Sequence, residues 1–181
     1  NFFGFGYNYS VSLDKWNLQD LAADYVYLGE NQLDFEIPGT LGAVFAYNNW
    51  KENYKDQKHC FPLTRSNETI ETTLAALPIY FLEIEAEKMD VELCKAHPNA
   101  VFVIATNYDN KTQLFRFVRT VFDANAIHNP VVLKIEETTF DLEEFQLYTA
   151  SDSGNQFIDG FGDGIWIKGP HPTTTINSLS F

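Results

Sequence analysis

The sequence predicts an all-β, mainly antiparallel fold. Residues 1–181 are expected to form a single β-sandwich or jelly-roll domain with one or two short helices, and a closed β-barrel is the alternative. Three observations point there. Aromatic residues make up 15 % of the chain, with sixteen Phe and nine Tyr, and aromatic and β-branched residues fit a pleated, half-buried surface. Short apolar runs recur between turn-forming residues, with no internal repeat and no low-complexity linker. Finally, the stretch 78–122 holds three such runs, 79–84, 101–106 and 114–122. Turn-tolerant residues 107–111 separate the last two, which reads as a central hairpin with a third strand beside it.

In chain order, residues 2–13 alternate cleanly. Phe3, Phe5, Tyr7, Tyr9, Val11 and Leu13 fall on one face and small or polar residues on the other, as in a half-buried strand. Residues 14–24 read as a helical turn or an irregular crossing, and 25–28 as a short strand. Leu33, Phe35 and Ile37 alternate with polar residues, predicting another strand, and the apolar run 41–47 a buried one. The polar stretch 48–65 reads as the longest loop. Ser66 or Asn67 offers a helix cap, with Ile70, Leu74 and Leu77 on one side and Pro78 as the stop. A second short helix is expected over 87–96. Strands are expected at 131–136, 140–149, 165–167 and 176–181, with Gly-rich turns around 159–164 and 169–172.

The formal net charge is −13 and the pI about 4.5. Phosphate binding needs Lys and Arg, so nucleic acid is excluded as a partner, and anionic membrane surfaces are disfavoured. No run of 18 apolar residues is present, so no transmembrane helix is expected. The chain begins at Asn1, which fits a removed signal peptide or a cut chain. Asn8, Asn67 and Asn110 each open an N-glycosylation sequon. Together these features suggest a secreted protein, in which Cys60 and Cys94 would pair as a disulfide.

Function is read mainly by exclusion. Asn48, Asn49, Trp50 and Tyr54 put aromatic rings among amides in a polar loop, a composition suited to stacking on a sugar, and Trp166 offers a second platform. Asp152, Asn155, Asp159 and Asp163 cluster around glycines and suggest an oxygen-ligand calcium site, although the spacing is not that of an EF-hand. Glu83, Glu85 and Glu87 at period two, with the acidic group Glu136, Glu137, Asp141, Glu143 and Glu144, suggest either an acidic face for a basic protein partner or a carboxylate pair for glycoside chemistry. His59, His97, His128 and His171 are scattered, without zinc-ligand spacing. The leading expectation is a secreted carbohydrate-binding module with no catalytic residues and no cofactor except calcium. The alternatives are an acidic protein-interaction domain, a β-barrel carrier of an apolar ligand, an outer-membrane barrel and a glycan-acting enzyme.

Overall fold

The computed structural model describes residues 2–68 and 70–181. The expected antiparallel sandwich is not what the chain forms. The protein is α/β, and apart from one hairpin every strand pairing recorded among the described residues is parallel. The chain divides into two compact units, Asn1–Pro62 with His171–Phe181, and Leu63–Pro170.

In the first unit a 3-10 turn, Phe3–Phe5, leads into β1 (Tyr7–Ser10), which pairs antiparallel with β2 (Lys15–Leu18). The long strand expected over 2–13 is therefore a hairpin entered by a tight turn. β3 (Tyr25–Gly29) and β4 (Gly42–Ala46) pair in parallel. A Cβ on Gly42 would sit 2.4 Å from the Tyr25 ring, so any larger residue there must push that ring aside. Residues 33–37 form no strand, although Leu33 and Ile37 still pack on a core of Phe2, Tyr7, Val26 and Leu41. The expected loop after residue 47 is helical: α1 (Tyr47–Asn49) continues as a π-helical turn, Trp50–Tyr54. β5 (Cys60–Arg65) follows, and the chain passes to the second unit within it. A helix at Thr173–Ser178 stands where a last strand was expected.

The second unit is a repeating strand–helix arrangement. β6 (Tyr80–Glu85), α2 (Val91–Ala96), β7 (Ala100–Ala105), α3 (Lys111–Ala124), β8 (Val131–Glu136), α4 (Leu142–Ile158) and β9 (Gly164–Lys168) follow one another. The strands lie side by side in chain order. β6 pairs with β7 from Tyr80↔Ala100 to Glu85↔Ala105, and β8 with β9 from Val132↔Gly164 to Glu136↔Lys168. Each crossover steps to the next strand in the same direction. Right-handed connections then put all three helices on one face. Leu82, Ile84, Phe102, Ile104, Leu133 and Ile135 fill that face and are fully buried, and Phe102 meets Phe122 of α3 with ring centroids 5.7 Å apart.

The two largest errors of the sequence reading are the runs 114–122 and 140–149, expected as strands and found as α3 and α4. In α3, Phe115, Val118 and Phe122 are buried, the three-and-four spacing of a helix face. Asn110 caps it by accepting the Gln113 N–H. In α4, Asp141 accepts the Glu144 N–H at 2.9 Å. That helix buries Phe145, Thr149, Ser153 and Gln156, a mostly polar stripe. The helix expected over 66–77 reduces to a 3-10 turn, Leu74–Ala76. No helix among the described residues is long and apolar enough to cross a membrane.

Candidate functional site

In sheets of parallel strands, functional groups gather at the carboxyl ends, on the loops that lead into the helices. Three polar clusters stand on that side of the second unit or on the sheet face away from its helices.

The first is the loop between β7 and α3. Glu87, just beyond β6, accepts a hydrogen bond from the Thr106 hydroxyl at 2.5 Å and from the Asn107 N–H at 3.1 Å. Burial pushes the Glu87 carboxyl up, but these donors and the Tyr108 N–H outweigh it and hold the group below the ordinary carboxylate range. The loop presents hydroxyl and N–H donors as an anion seat, and a carboxylate of the chain itself fills it.

The second cluster surrounds Lys111, the first residue of α3. Its Nζ lies 2.5 Å from Glu137, just after β8, and 3.3 Å from Asp152 of α4. The three side chains are 13, 14 and 17 % exposed. Burial pushes the ammonium down, and the two carboxylates outweigh it, holding Lys111 above its ordinary value. Asp152 is displaced upward by burial, against the pull of Lys111, because one ammonium serves two acids. A lysine held this firmly in its charged form is a clamp rather than a nucleophile.

The third lies on the sheet face away from the helices. Lys134 bonds Glu83 at 2.9 Å, with both side chains largely buried, and its Nζ stands 4.8 Å from the Trp166 ring centroid. The second oxygen of Glu83 is buried without a hydrogen-bond partner, with Arg65 Nε at 3.9 Å. Glu85 pairs with Lys88 and Glu136 with Lys168. Of the acids expected to form a free acidic face, Glu83, Glu85, Glu136 and Glu137 are thus taken up in ion pairs, while Asp141, Glu143 and Glu144 stand exposed at the start of α4.

The other residues singled out from sequence are placed as follows. Asn48 is exposed, but Asn49, Trp50 and Tyr54 are buried. Asn49 donates to the carbonyls of Gly29 and Asn31, Trp50 Nε1 donates to the Cys60 carbonyl at 3.0 Å, and Tyr54 stacks on Phe45 at 3.9 Å. These rings hold the helical turn to its unit and offer no sugar platform. Trp166 is half-buried beneath Lys134. Asp152, Asn155, Asp159 and Asp163 are not brought together. Asp152 serves Lys111, Asp159 pairs with Arg116, and Asp163 accepts the Val131 N–H. Asn155 is exposed on α4. No group of three or more His, Cys, Asp or Glu among the described residues is arranged to hold a metal ion. Cys60 and Cys94 are free, buried thiols rather than a disulfide. Burial pushes both up, Cys94 to about 11. Asn8 and Asn110 are exposed, and Asn110 is the cap of α3. Asn67 is exposed, and Thr69 of its sequon lies outside the described residues.

Sequence reasoning missed Lys111, Thr106 and Lys134. Lys111 reads as the last residue of the turn 107–111, ahead of a run that reads as a strand, so its place at a helix start is hidden.

At the opposite, amino end of the strands, Tyr80 and His97 form a buried pair, with the hydroxyl 2.7 Å from Nδ1. Burial holds His97 below its ordinary value of 6.5. The unfolded chain therefore binds the proton more readily, and this contribution to stability is lost as pH falls below about 6.5. The urea midpoint is expected to drop between pH 7.5 and 5, and His97→Gln to flatten that slope. An unchanged slope in the variant would remove His97 as the cause.

Comparison with known proteins identifies the relatives. They are diphosphate synthases. The chain is 27 % identical over 148 residues to a 4-hydroxy-3-methylbut-2-en-1-yl diphosphate synthase (flavodoxin) of Parabacteroides distasonis, covering 80 % of this chain and 23 % of that protein. Enzymes of the same name from Phocaeicola vulgatus and Bacteroides fragilis are 26 % and 28 % identical, over 87 % and 80 % of the chain and 26 % and 23 % of their own lengths. The chain thus spans about a quarter of the curated relatives it matches. No family model matches the chain, and no solved structure matches it. These relatives, with the burial of Trp50 and Tyr54, overturn the reading as a secreted carbohydrate-binding module. The expected glycan or basic protein partner has no support in the geometry.

Proposed function

We propose that this chain is one segment of a 4-hydroxy-3-methylbut-2-en-1-yl diphosphate synthase, and that it serves there as an α/β support for the rest of the enzyme. The observation that carries the reading is the similarity running through 80 to 87 % of the chain to enzymes of that one name. Two of the polar clusters fit a support role, since they are satisfied within the chain: Glu87 fills its own anion seat, and Lys111 is clamped between two acids.

The name of the relatives includes flavodoxin, which raises the question of a flavin site. Flavodoxin-type folds hold FMN where the strand order reverses. From β6 to β9 the order runs one way without reversal. Glu87 and the Glu137–Asp152 pair set negative charge where a phosphate would need donors. These residues do not fit a flavin phosphate.

The test is a chimera. This chain replaces the matching segment of the Bacteroides fragilis enzyme, and formation of 4-hydroxy-3-methylbut-2-en-1-yl diphosphate is followed in the presence of flavodoxin. A folded, active chimera is expected, whereas a folded but inactive one would sink the assignment. FMN titrated against the chain is expected to keep its fluorescence. Tight quenching would replace the support role with a redox one.

A further inference from the structure

Strands β3, β4 and β5 begin around a shallow depression in the first unit. Asp24 directly precedes β3, Thr40 stands two residues before β4, and His59 directly precedes β5. With Tyr25, Gly42 and Phe61 these residues line a cavity of about 280 Å³, at the lower end of small-molecule pocket sizes. The Gly42 N–H donates to the Asp24 carbonyl at 2.8 Å and the Ala43 N–H to the His59 carbonyl at 2.7 Å. Consecutive amides of β4 thus hold the two flanking loops in place. His59 has a positive φ of 62°, a conformation that gathers at ligand sites when a residue with a side chain adopts it.

The floor of the depression is aromatic and its rim is polar. Gly42 leaves room for the Tyr25 ring to lie across its backbone, since a Cβ there would sit 2.4 Å from that ring and 3.2 Å from Phe61. The two rings meet edge to face with centroids 5.7 Å apart, and Tyr25 is 47 % exposed. On the rim, the side chains of Asp24, Thr40 and His59 make no hydrogen bond or ion pair among the described residues. With His59 neutral, Asp24 carries the only charge among the six, and no Lys or Arg lines the cavity.

That combination selects a ligand class. The face of an aromatic ring is its negative side, and a carboxylate beside it adds a full charge, so both attract a cation. A metal ion would find only two ligating side chains here, Asp24 and His59. An organic ammonium ion has methyl or methylene groups to lay on the rings and a charge to face Asp24. We propose that this depression binds a small organic cation of the alkylammonium class, its carbon groups on Tyr25 and Phe61 and its charge against Asp24. Thr40 and His59 stand where they can bond a hydroxyl or amide of the same molecule. The inference does not rest on the synthase reading, and its test needs no enzyme activity.

Choline chloride is the probe, and saturation-transfer NMR of its methyl signal with the intact chain is the measurement. Saturable transfer is expected, with competition by tetramethylammonium. The neutral isostere 3,3-dimethylbutan-1-ol should bind more weakly, by roughly fivefold. Asp24→Asn and Tyr25→Leu should each raise the choline dissociation constant by roughly two- to fivefold, and together by about tenfold. Both residues are exposed, so the variants keep the fold, which circular dichroism checks. Asp20→Asn, exposed in the same unit outside the depression, should change nothing. Absence of saturable transfer would overturn the proposal. So would equal binding of the neutral alcohol, or unchanged choline binding in the double variant.

Discussion

Lys111→Met is expected to destabilise the second unit by about 3–5 kcal/mol, the usual cost of removing one partner from a buried charge cluster. The reason is what the substitution leaves behind. Glu137 and Asp152 face the same ammonium from two elements, and both are largely buried. Without Lys111 they confront each other with no counter-charge, and each must take up a proton or drag water inward. Asp152 already sits above its ordinary value, pushed up by burial, even with Lys111 present. Trp166 lies in this unit and reports its unfolding in a urea titration. The triple variant Lys111→Met, Glu137→Gln, Asp152→Asn removes the orphaned charges and is expected to recover part of the loss. A Lys111→Met midpoint shift worth less than about 1 kcal/mol would show that water, not the lysine, neutralises these acids.

Trp50→Ala is expected to cost a similar amount, about 3–5 kcal/mol, as for a large aromatic truncated in a core. Trp50 is buried, donates to the Cys60 carbonyl and lies near the Tyr47 ring. The substitution opens a cavity and leaves a backbone acceptor without its donor. An exposed ring waiting for a sugar would give a change within about 0.5 kcal/mol. Thermal denaturation of the variant therefore separates a wedge from a platform in one measurement.

The strands of the second unit were legible in the sequence, and their direction was not. The runs at 79–84, 101–106 and 131–136 lie within a residue or so of β6, β7 and β8. Their nearly continuous apolar character is that of parallel strands buried on both faces. The pairing reads as antiparallel because 114–122 reads as a strand by composition. Phe and Val weigh towards strand by composition, yet Phe115, Val118 and Phe122 follow the helical period. Once that run is a helix, β7 cannot turn straight back, and the crossover makes the sheet parallel. α4 was harder to read. Its buried side is Thr149, Ser153 and Gln156 and its exposed side includes Leu147 and Ile158, so no periodic apolar stripe announces it. Trp50 misled for a different reason. The polar stretch 48–65 suggests an open loop, while Trp50 Nε1 donates to the Cys60 carbonyl of β5 and its ring lies near that of Tyr47. Of the polar clusters, the acids Glu83, Glu85 and Glu87 are visible in the sequence; Lys88 lies three residues from Glu85, but Lys134 and Thr106 are brought to Glu83 and Glu87 only by the folded sheet.

The order in which the strands lie has a consequence for how the molecule is made. From β6 onward each strand pairs with its immediate successor in the chain, so every loop that must close spans a single helix. Such local contacts shorten the search that limits folding. A chain emerging from the ribosome can add one strand and helix at a time to an existing edge, as domains built during synthesis do. The growing edge is an open strand until its successor arrives. Slow translation between the codons for β8 and β9 would prolong that exposure and, with it, the interval in which a nascent chain is most prone to aggregate.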